Sequence, residues 1–236
     1  MIKTVVFDVG ETLISETRIW SRWAERLGVS AFTLMGALGG MAALDRSHSD
    51  AFELVRPGFD LAKEEAEWER DDPHGMRNTF DAGDLYPDVR DALAAIRAAG
   101  YQVIIAGNQP ERAYAALVAM DLPADSVHTS DGWGVSKPEP GFFAKVAAVA
   151  GREPAEILYV GDRLDNDVLP ARAAGMRTAL LKRGPWGYLH AERPEAGAAD
   201  VIAGDLHALL PALDGLALRS GGRAAALPPA PPEPFT

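Results

Sequence analysis

The sequence has no cysteine, and this absence excludes disulfide bonds, thiolate metal sites and catalysis by a thiol. Positive charge is also scarce, because 23 lysine and arginine residues stand against 34 aspartate and glutamate residues, giving a net charge of −11. A surface that negative repels phosphate backbones, so nucleic acid and anionic membranes are poor candidate partners. An anionic substrate would need a local positive group or a metal ion to offset this field.

Long apolar segments are missing as well. Residues 31–44 are apolar and rich in small side chains, but a run of about 14 residues is too short to span a bilayer. The chain opens on a strand-like run at residues 2–7, with neither the charged segment nor the long apolar core of a secretory signal. We therefore expect a cytoplasmic protein that is a monomer or a homodimer and has no membrane partner.

The composition is that of an ordinary globular protein, with 236 residues of which 47% are hydrophobic and 24% are charged. Short β-branched runs alternate with alanine-rich helical stretches. The strand candidates are almost entirely apolar, which is typical of strands buried on both faces of a parallel sheet. The strands are predicted over residues 3–8, 101–106, 126–130, 157–161, 176–181 and 200–202, and the helices over 88–100, 110–120, 139–151 and 167–175. This alternation predicts a Rossmann-like, doubly wound α/β fold with right-handed crossovers.

Residues 15–85 interrupt the alternation. This stretch has no clear strand but carries helical runs such as TRIWSRWAERLG and LAKEEAEWER. We interpret it as a helical cap inserted into a core domain that is built from residues 1–14 and 86–215. Residues 216–236 are rich in alanine and proline, and we expect a loosely held tail there, with a polyproline ligand for a partner domain as the alternative.

Ionisable side chains follow the strands at their carboxyl ends. Asp8 ends the first strand, Lys137 follows the third, and Asp162, Asp165 and Asp167 follow the fourth. Ligands of doubly wound sheets bind beyond these ends, so the side chains should lie around one cleft. Clustered carboxylates repel one another unless a cation sits among them, and Mg²⁺ prefers such oxygen ligands. Carboxylates, a metal ion and one lysine together suit phosphoryl transfer.

Three segments, FDVGETL, VSKPEP and VGDRLDNDVLPARAAGM, occur in an order and spacing that resemble the haloacid dehalogenase superfamily. The resemblance covers residues 1 to about 182 and is closest to the branch with a helical cap after the first strand. It implies a Mg²⁺-dependent phosphatase that acts on a small phosphorylated metabolite through an aspartyl-phosphate intermediate.

The resemblance also implies roles for individual residues. Asp8 matches the nucleophile and is a metal ligand, and Thr12 matches the hydroxyl that closes the first motif. Lys137 matches the lysine that steadies the nucleophile and binds the phosphoryl oxygens. Asp162 and Asp167 match the two acidic metal ligands of the last motif.

Gly10 departs from the family pattern. Phosphatases of this superfamily have an aspartate there, whose side chain protonates the leaving oxygen and later activates water, and whose backbone carbonyl binds the metal. Gly10 keeps only the carbonyl, and the missing acid–base catalysis is typically worth about 10²- to 10⁴-fold in rate. Glu11 could replace the acid, or a cap histidine, His48 or His74, could supply it. A good leaving group would need no acid at all.

Two other functions stay open. In one alternative the site has lost its catalytic activity, and the protein has a binding or regulatory role instead. The other is a halide-releasing dehalogenase, which attacks carbon with the same aspartate and needs no metal, although no dehalogenase-type pattern follows Asp8.

A second departure follows the second strand, where the family usually offers a serine or threonine hydroxyl to the phosphate. Here the chain has Gly107 and Asn108. The backbone N–H groups near the start of the next helix can hold an anion. The amide of Asn108 is therefore a candidate phosphate donor, and a turn or helix-capping role is the alternative.

Overall fold

The computed structural model describes residues 1–73 and 79–219, and its centre is a six-stranded, fully parallel sheet. The strands lie in the order β3-β2-β1-β4-β5-β6. They are β1 (Thr4–Phe7), β2 (Gln102–Gly107), β3 (Ser126–Thr129), β4 (Ile157–Gly161), β5 (Arg177–Leu181) and β6 (Val201–Ala203). This order is that of a Rossmann-like sheet and confirms the predicted fold class.

Strand β1 lies at the centre of the sheet, and all four of its residues are buried. Its last residue, Phe7, pairs with Ile105 of β2 on one side and with Val160 of β4 on the other. The chain leaves β1 toward β2 and later returns to its opposite side as β4. The residues that follow these three strands therefore meet at one crevice, at the point where the strand order reverses.

Eleven α-helices surround the sheet in the described part of the chain. They are α1 (Thr17–Leu27), α2 (Ala31–Ala43), α3 (Ser49–Val55), α4 (Leu61–Asp71), α5 (Val89–Ala98), α6 (Glu111–Ala119), α7 (Ser130–Trp133), α8 (Pro140–Ala150), α9 (Leu169–Ala173), α10 (Gly184–Ala191) and α11 (Leu209–Arg219). Three of the four predicted helices appear as α5, α6 and α8. The fourth differs, because a π-helical turn at Leu164–Val168 precedes the short α9.

Helices α1 to α4 lie between β1 and α5 and form a helical segment in which no strand is found among the described residues. Isolated bridges join Gly10 to Ile14 and Ile14 to Leu85, at the two points where this helical segment leaves and rejoins the sheet. Trp23 and Phe52 of the segment pack edge to face with ring centroids 5.0 Å apart, within the same core that covers the sheet. The division into a core domain and a separate cap remains a prediction.

Helix α11 continues to Arg219, so the tail expected from residue 216 begins within a helix. The rest of the expected tail, with the polyproline run considered as an alternative ligand, lies in residues 220–236, outside the described part of the chain. Among the described residues, no single helix is long and apolar enough to cross a membrane. Helices α1 and α2 reach the necessary length and composition together, but their axes are bent by 113°.

Candidate active site

Lys137 joins two aspartates from different parts of the chain. Its Nζ donates hydrogen bonds to Asp8 Oδ1 at 2.6 Å and to Asp167 Oδ1 at 2.5 Å. The side chains of Lys137 and Asp167 are each only 1% exposed. Charge-assisted bonds this short in a buried place fix all three groups relative to one another.

Lys137 stays charged despite its burial. Burial alone would lower the pKa of Lys137, but the negative charges of Asp167 and Asp8 outweigh it and raise this pKa well above its ordinary value. The ammonium group also lies over the rings of Tyr159 and Phe142, at 5.6 and 6.0 Å from their centroids. The site therefore holds a permanent positive charge in an otherwise acidic protein.

Two glycines allow the carboxylates to approach the sheet. A Cβ atom added to Gly107 would lie 2.4 Å from Asp8 Oδ1, and one added to Gly161 would lie 2.3 Å from Asp167 Cγ. Real Cβ atoms do not come that close to another heavy atom, so a larger residue at either strand end would displace a carboxylate. Gly107, predicted to bind substrate, is thus needed to make room for Asp8.

Asp8, Asp162 and Asp167 form a buried carboxylate cluster. Each offers one oxygen, and these oxygens all lie within 4.8 Å of one another. Burial, followed by the charges of Asp167 and Asp8, raises the pKa of Asp162 well above its ordinary value. Lys137 balances only part of the negative charge, and a hard divalent cation with oxygen ligands fits the remainder. The donor set therefore fits Mg²⁺.

A cavity of about 530 Å³ opens at this end of the sheet. Its polar wall comes from the strand ends and includes Asp8, Asn108, Lys137 and Asp162. The helical segment forms the opposite and more apolar wall, with Ile19, Trp20, Met35, Leu38 and His48. The spacing of apolar residues in the sequence did not distinguish these cavity-lining residues from those in the hydrophobic core of the helical segment.

A family model for haloacid dehalogenase-like hydrolases matches residues 2–175 of the chain. The chain belongs to this family. The match includes every residue of the carboxylate cluster and Lys137, and it makes the protein a hydrolase.

Two relatives show what kind of family members resemble this hydrolase. A glyceraldehyde 3-phosphate phosphatase of Pyrococcus furiosus is 28% identical over 230 residues, which are 90% of this chain and 93% of the relative. Phosphoglycolate phosphatase 1 of Pseudomonas aeruginosa is 35% identical over 134 residues. That second alignment covers 56% of this chain and only 48% of the relative.

Solved structures of the family share the fold. A HAD phosphatase from Thermococcus onnurineus is 24% identical with a TM-score of 0.56, and the match covers 91% of this chain and 99% of the other. The HAD-hydrolase YfnB from Bacillus subtilis, bound to magnesium, is 17% identical with a TM-score of 0.66, covering 90% and 99%. At these identities the likeness concerns the fold.

Asn108 lines the cavity, where its predicted role as a phosphate donor stays a prediction, and its side chain is bonded to the Lys137 backbone. Its Nδ2 donates to the carbonyl of Lys137 at 2.9 Å, and its Oδ1 accepts from the Lys137 backbone N–H at 2.8 Å. Both ends of the carboxamide are thus engaged with one backbone position. The observed role is to hold the Lys137 loop against the end of β2.

Thr12 lies in the loop that follows Asp8. It is fully buried, and its hydroxyl finds no hydrogen-bond partner among the described residues. Its carbonyl accepts a hydrogen bond from Arg183 Nη1 at 2.5 Å. Thr12 is not among the residues that line the cavity, and its role in the site stays a prediction.

The π-helical turn that carries Asp167 is anchored by a residue that the sequence motifs did not reveal. The backbone N–H of Leu164 donates to His190 Nδ1 at 2.9 Å. Burial lowers the pKa of His190, so the ring stays neutral and keeps this acceptor. Asp167 Oδ2 in turn accepts from the backbone N–H of Arg163 at 3.0 Å. Asp165, by contrast, pairs with the Arg163 side chain and is mostly exposed.

Glu16 lies where no motif places a site residue. A Cβ atom added to Gly10 would lie 2.5 Å from Glu16 Oε1, so the Glu16 carboxyl fills the space beside Gly10. Its Oε2 accepts from Trp20 Nε1 at 3.2 Å. Burial, with smaller contributions from the charges of Glu11 and Asp8, raises the pKa of Glu16 to about 8.

Glu11, the first candidate to replace the missing acid, is held on both oxygens. Its Oε1 accepts from the backbone N–H of Glu16 at 2.8 Å, and its Oε2 accepts from the hydroxyl of Tyr86. His48 lines the cavity, while His74 lies outside the described residues. Through these bonds Glu11 holds the backbone at the start of α1 in place.

Proposed function

We propose that this hydrolase is a Mg²⁺-dependent phosphatase that acts on a small phosphorylated metabolite through an aspartyl phosphate on Asp8. The observation that carries the proposal is the buried Asp8 carboxylate, paired with Lys137 at 2.6 Å on the wall of the cavity. A carboxylate held beside a permanent positive charge is suited to attack a phosphoryl group, because that charge attracts the phosphoryl oxygens.

Among the described residues, one oxygen of Asp8 is held by Lys137 and the other accepts no hydrogen bond. Lys137 holds Oδ1, which leaves Oδ2 as the atom that attacks phosphorus. The P–O bond to the leaving group then breaks, and water later cleaves the aspartyl phosphate to release phosphate and regenerate Asp8. Lys137 remains protonated throughout, so it binds the phosphoryl group without exchanging protons with it.

Asp8, Asp162 and Asp167 are the side chains that would hold Mg²⁺, together with the backbone carbonyl of Gly10 that the family resemblance implies. A bound Mg²⁺ supplies neutralisation of the charge on the transferring phosphoryl group. The net charge of −11 makes such local neutralisation necessary for an anionic substrate.

The substrate class follows from the cavity and from the relatives. The cavity of about 530 Å³ lies within the usual range for small-molecule sites, and one wall is largely apolar. The relatives described above are phosphatases named for glyceraldehyde 3-phosphate and phosphoglycolate, which are small phosphorylated carbon compounds. We therefore expect a phosphate ester of a small organic alcohol.

The test is a phosphate-release screen over small phosphate esters with Mg²⁺, comparing the wild type with Asp8→Asn. Activity should disappear in Asp8→Asn, and acid-quenched wild-type protein should carry phosphate on Asp8 by mass spectrometry. Asp165→Asn is the matched control, since this exposed aspartate pairs with Arg163 on the same loop. Phosphate release that survives in Asp8→Asn, or release of halide from a haloacid without metal, would refute the proposal.

A further inference from the structure

We propose that Glu16 is the proton donor and acceptor of this active site. In this proposal, which rests on the phosphatase function above, Glu16 protonates the leaving-group oxygen and later takes a proton from the attacking water. Three features support it: the space beside Gly10, the bonds that hold Glu16, and the commitments of the other ionisable groups of the cavity.

The Glu16 carboxyl fills the space that a side chain at position 10 would take. Oε1 lies so near Gly10 that an added Cβ would be 2.5 Å from it, and the Glu16 Cδ would be 3.1 Å from that Cβ. Gly10 is two residues beyond the nucleophile Asp8, and all three residues line the cavity. A carboxyl group thus stands beside the nucleophile although position 10 carries none.

Several contacts hold Glu16 in this place. Its Oε2 accepts from Trp20 Nε1 at 3.2 Å, one turn further along α1. Its backbone N–H donates to Glu11 Oε1, and Glu11 is itself held by the hydroxyl of Tyr86. The ring of Tyr86 lies 4.1 Å from the Arg183 guanidinium carbon. These contacts fix the backbone and one oxygen of Glu16 and leave Oε1 on the Gly10 side.

Four other ionisable groups of the cavity wall make different contacts. Lys137 is locked between two aspartates, and Asp162 belongs to the carboxylate cluster. Glu11 uses both oxygens as acceptors. His48 is exposed and packs against the Trp20 ring with centroids 5.9 Å apart. Among the described residues, Glu16 is the carboxyl of the cavity wall that is neither in the metal cluster nor fully bonded.

The proposed steps balance in protons and electrons. When Asp8 Oδ2 bonds to phosphorus, the electron pair of the breaking P–O bond moves to the leaving oxygen, which takes the proton of Glu16. In the second half-reaction the Glu16 carboxylate takes a proton from water as the water oxygen bonds to phosphorus. The P–O bond to Asp8 then breaks, its electron pair returns to the Asp8 carboxylate, and phosphate leaves.

Glu16→Gln tests the proposal, because the amide retains an acceptor for Trp20 but carries no acidic proton. The first turnover of the best alkyl phosphate from the screen should slow by about 10²- to 10⁴-fold. The first turnover of 4-nitrophenyl phosphate, whose leaving group needs no proton, should stay within about tenfold of wild type. Its steady-state turnover should fall, with the phosphoenzyme accumulating, since the base for the second half-reaction is missing. Glu25→Gln, which changes an exposed glutamate in α1, the helix that Glu16 precedes, is the control and should match wild type.

A transplant of the carboxyl group gives a second, independent test. In a Glu16→Ala background, Gly10→Asp should raise alkyl phosphate hydrolysis, because the new side chain occupies the vacated space. In the wild-type background, Gly10→Asp should give no such gain, because its Cβ meets Glu16 Oε1. An equal gain in both backgrounds would show that the two positions do not share that space, and would count against the proposal.

The outcomes separate this proposal from the phosphatase function. Equal losses on alkyl and aryl first turnovers in Glu16→Gln would indicate a structural role and overturn the proposal. A leaving-group-dependent loss in His48→Gln without one in Glu16→Gln would assign the proton to His48 and overturn it equally. A wild type that cleaves aryl but no alkyl phosphates also overturns it, while the phosphatase function stands. If the wild type hydrolyses no phosphate ester, both the Glu16 proposal and the phosphatase function are refuted.

Discussion

The carboxamide of Asn108 binds the backbone of Lys137 from both sides, accepting from its N–H at 2.8 Å and donating to its carbonyl at 2.9 Å. This relationship connects the end of β2 to the loop that delivers the only lysine among the described residues of the cavity wall. The position of the Lys137 ammonium group therefore depends on Asn108, a neutral residue whose hydrogen bonds go to the Lys137 backbone and not to the ammonium group.

We expect Asn108→Ala to reduce both stability and turnover. Two part-buried hydrogen bonds are lost, each worth about 0.5–1.5 kcal/mol, and the Lys137 loop loses its attachment to the sheet. Urea unfolding should show a decrease of about 1–3 kcal/mol, and kcat should fall because Lys137 is misplaced relative to Asp8. Ser136→Ala is the comparison, since it removes a single exposed 3.4 Å contact to Glu139 beside the same loop. Unchanged stability in Asn108→Ala would contradict the role assigned to the carboxamide.

Gly107→Ala should damage the site more than its one added carbon suggests. The new Cβ would lie 2.4 Å from Asp8 Oδ1 and 3.3 Å from the backbone nitrogen of Val9, which cannot move aside easily. Overpacking of this kind costs about 1–3 kcal/mol, and here the displaced atom is the oxygen that Lys137 holds. The measurement is the unfolding free energy together with turnover.

The matched control for this change is Gly39→Ala in the middle of α2, where an added Cβ has no neighbour within 4 Å. It should stabilise the protein by up to about 1 kcal/mol through helix propensity. If the Gly107→Ala protein is as stable and active as wild type, Asp8 can keep its position when residue 107 carries a side chain, and the prediction is wrong.

His190 should make the stability of the protein fall on mild acidification. Its folded pKa is lowered below the model-peptide value of 6.5, chiefly by burial. Below a pH of about 6.5 the unfolded chain therefore binds a proton that the folded chain still refuses, so the free energy of unfolding decreases as the pH falls through this range. The charged groups that also act on the ring are Asp165, Arg193, Arg163 and Asp45.

Urea unfolding of wild type and His190→Asn at pH values from about 7.5 to about 5 checks this expectation. Asparagine keeps an acceptor for the Leu164 N–H but does not titrate, so part of the pH slope should vanish in the variant. His207→Asn serves as the control on a residue outside the site. A slope that is the same in His190→Asn and wild type would rule the histidine out as its source.

Mg²⁺ should stabilise the folded protein, because the three carboxylates come together only when the chain is folded. Binding at 100 times the dissociation constant adds about 2.7 kcal/mol and raises the melting temperature accordingly. Without metal, Asp162→Asn should have a higher melting temperature than wild type, because it replaces a buried carboxyl group whose pKa is raised by burial. The melting temperature of this variant should respond only weakly to Mg²⁺. Asp165→Asn should respond like wild type. Equal metal responses of Asp162→Asn and wild type would place the ion elsewhere.

The sequence predicted the sheet well, because strands buried on both faces are nearly continuous apolar runs. The first strand, expected over 3–8, is Thr4–Phe7, and the fourth was predicted with its observed bounds, Ile157–Gly161. Asp8, Lys137, Asp162 and Asp167 were expected to meet for a topological reason, since parallel strands present their carboxyl ends at one edge. The buried cluster bears out this expected meeting of side chains.

The features that sequence patterns did not predict depend on contacts between distant segments. Glu16 follows a segment whose path is set by bridges at Ile14, and no spacing rule ties it to Gly10. His190 reaches Leu164 across 26 residues, and a carboxamide such as Asn108 has the same pattern whether it faces phosphate or backbone. The π-helical turn resembles ordinary helix in the sequence, because one extra residue in a single turn leaves no periodic trace.

The two bridges at Ile14 have a mechanical consequence. Asp8 lies on the sheet side of that junction and Glu16 lies on the side of the helices, only a few residues further along the chain. Any swing of the helical segment about the junction therefore separates nucleophile and proton carrier at the moment when it admits bulk solvent. An open molecule would lack the acid for any substrate whose leaving group needs a proton, and only a closed form would place Asp8 and Glu16 on the same phosphate ester.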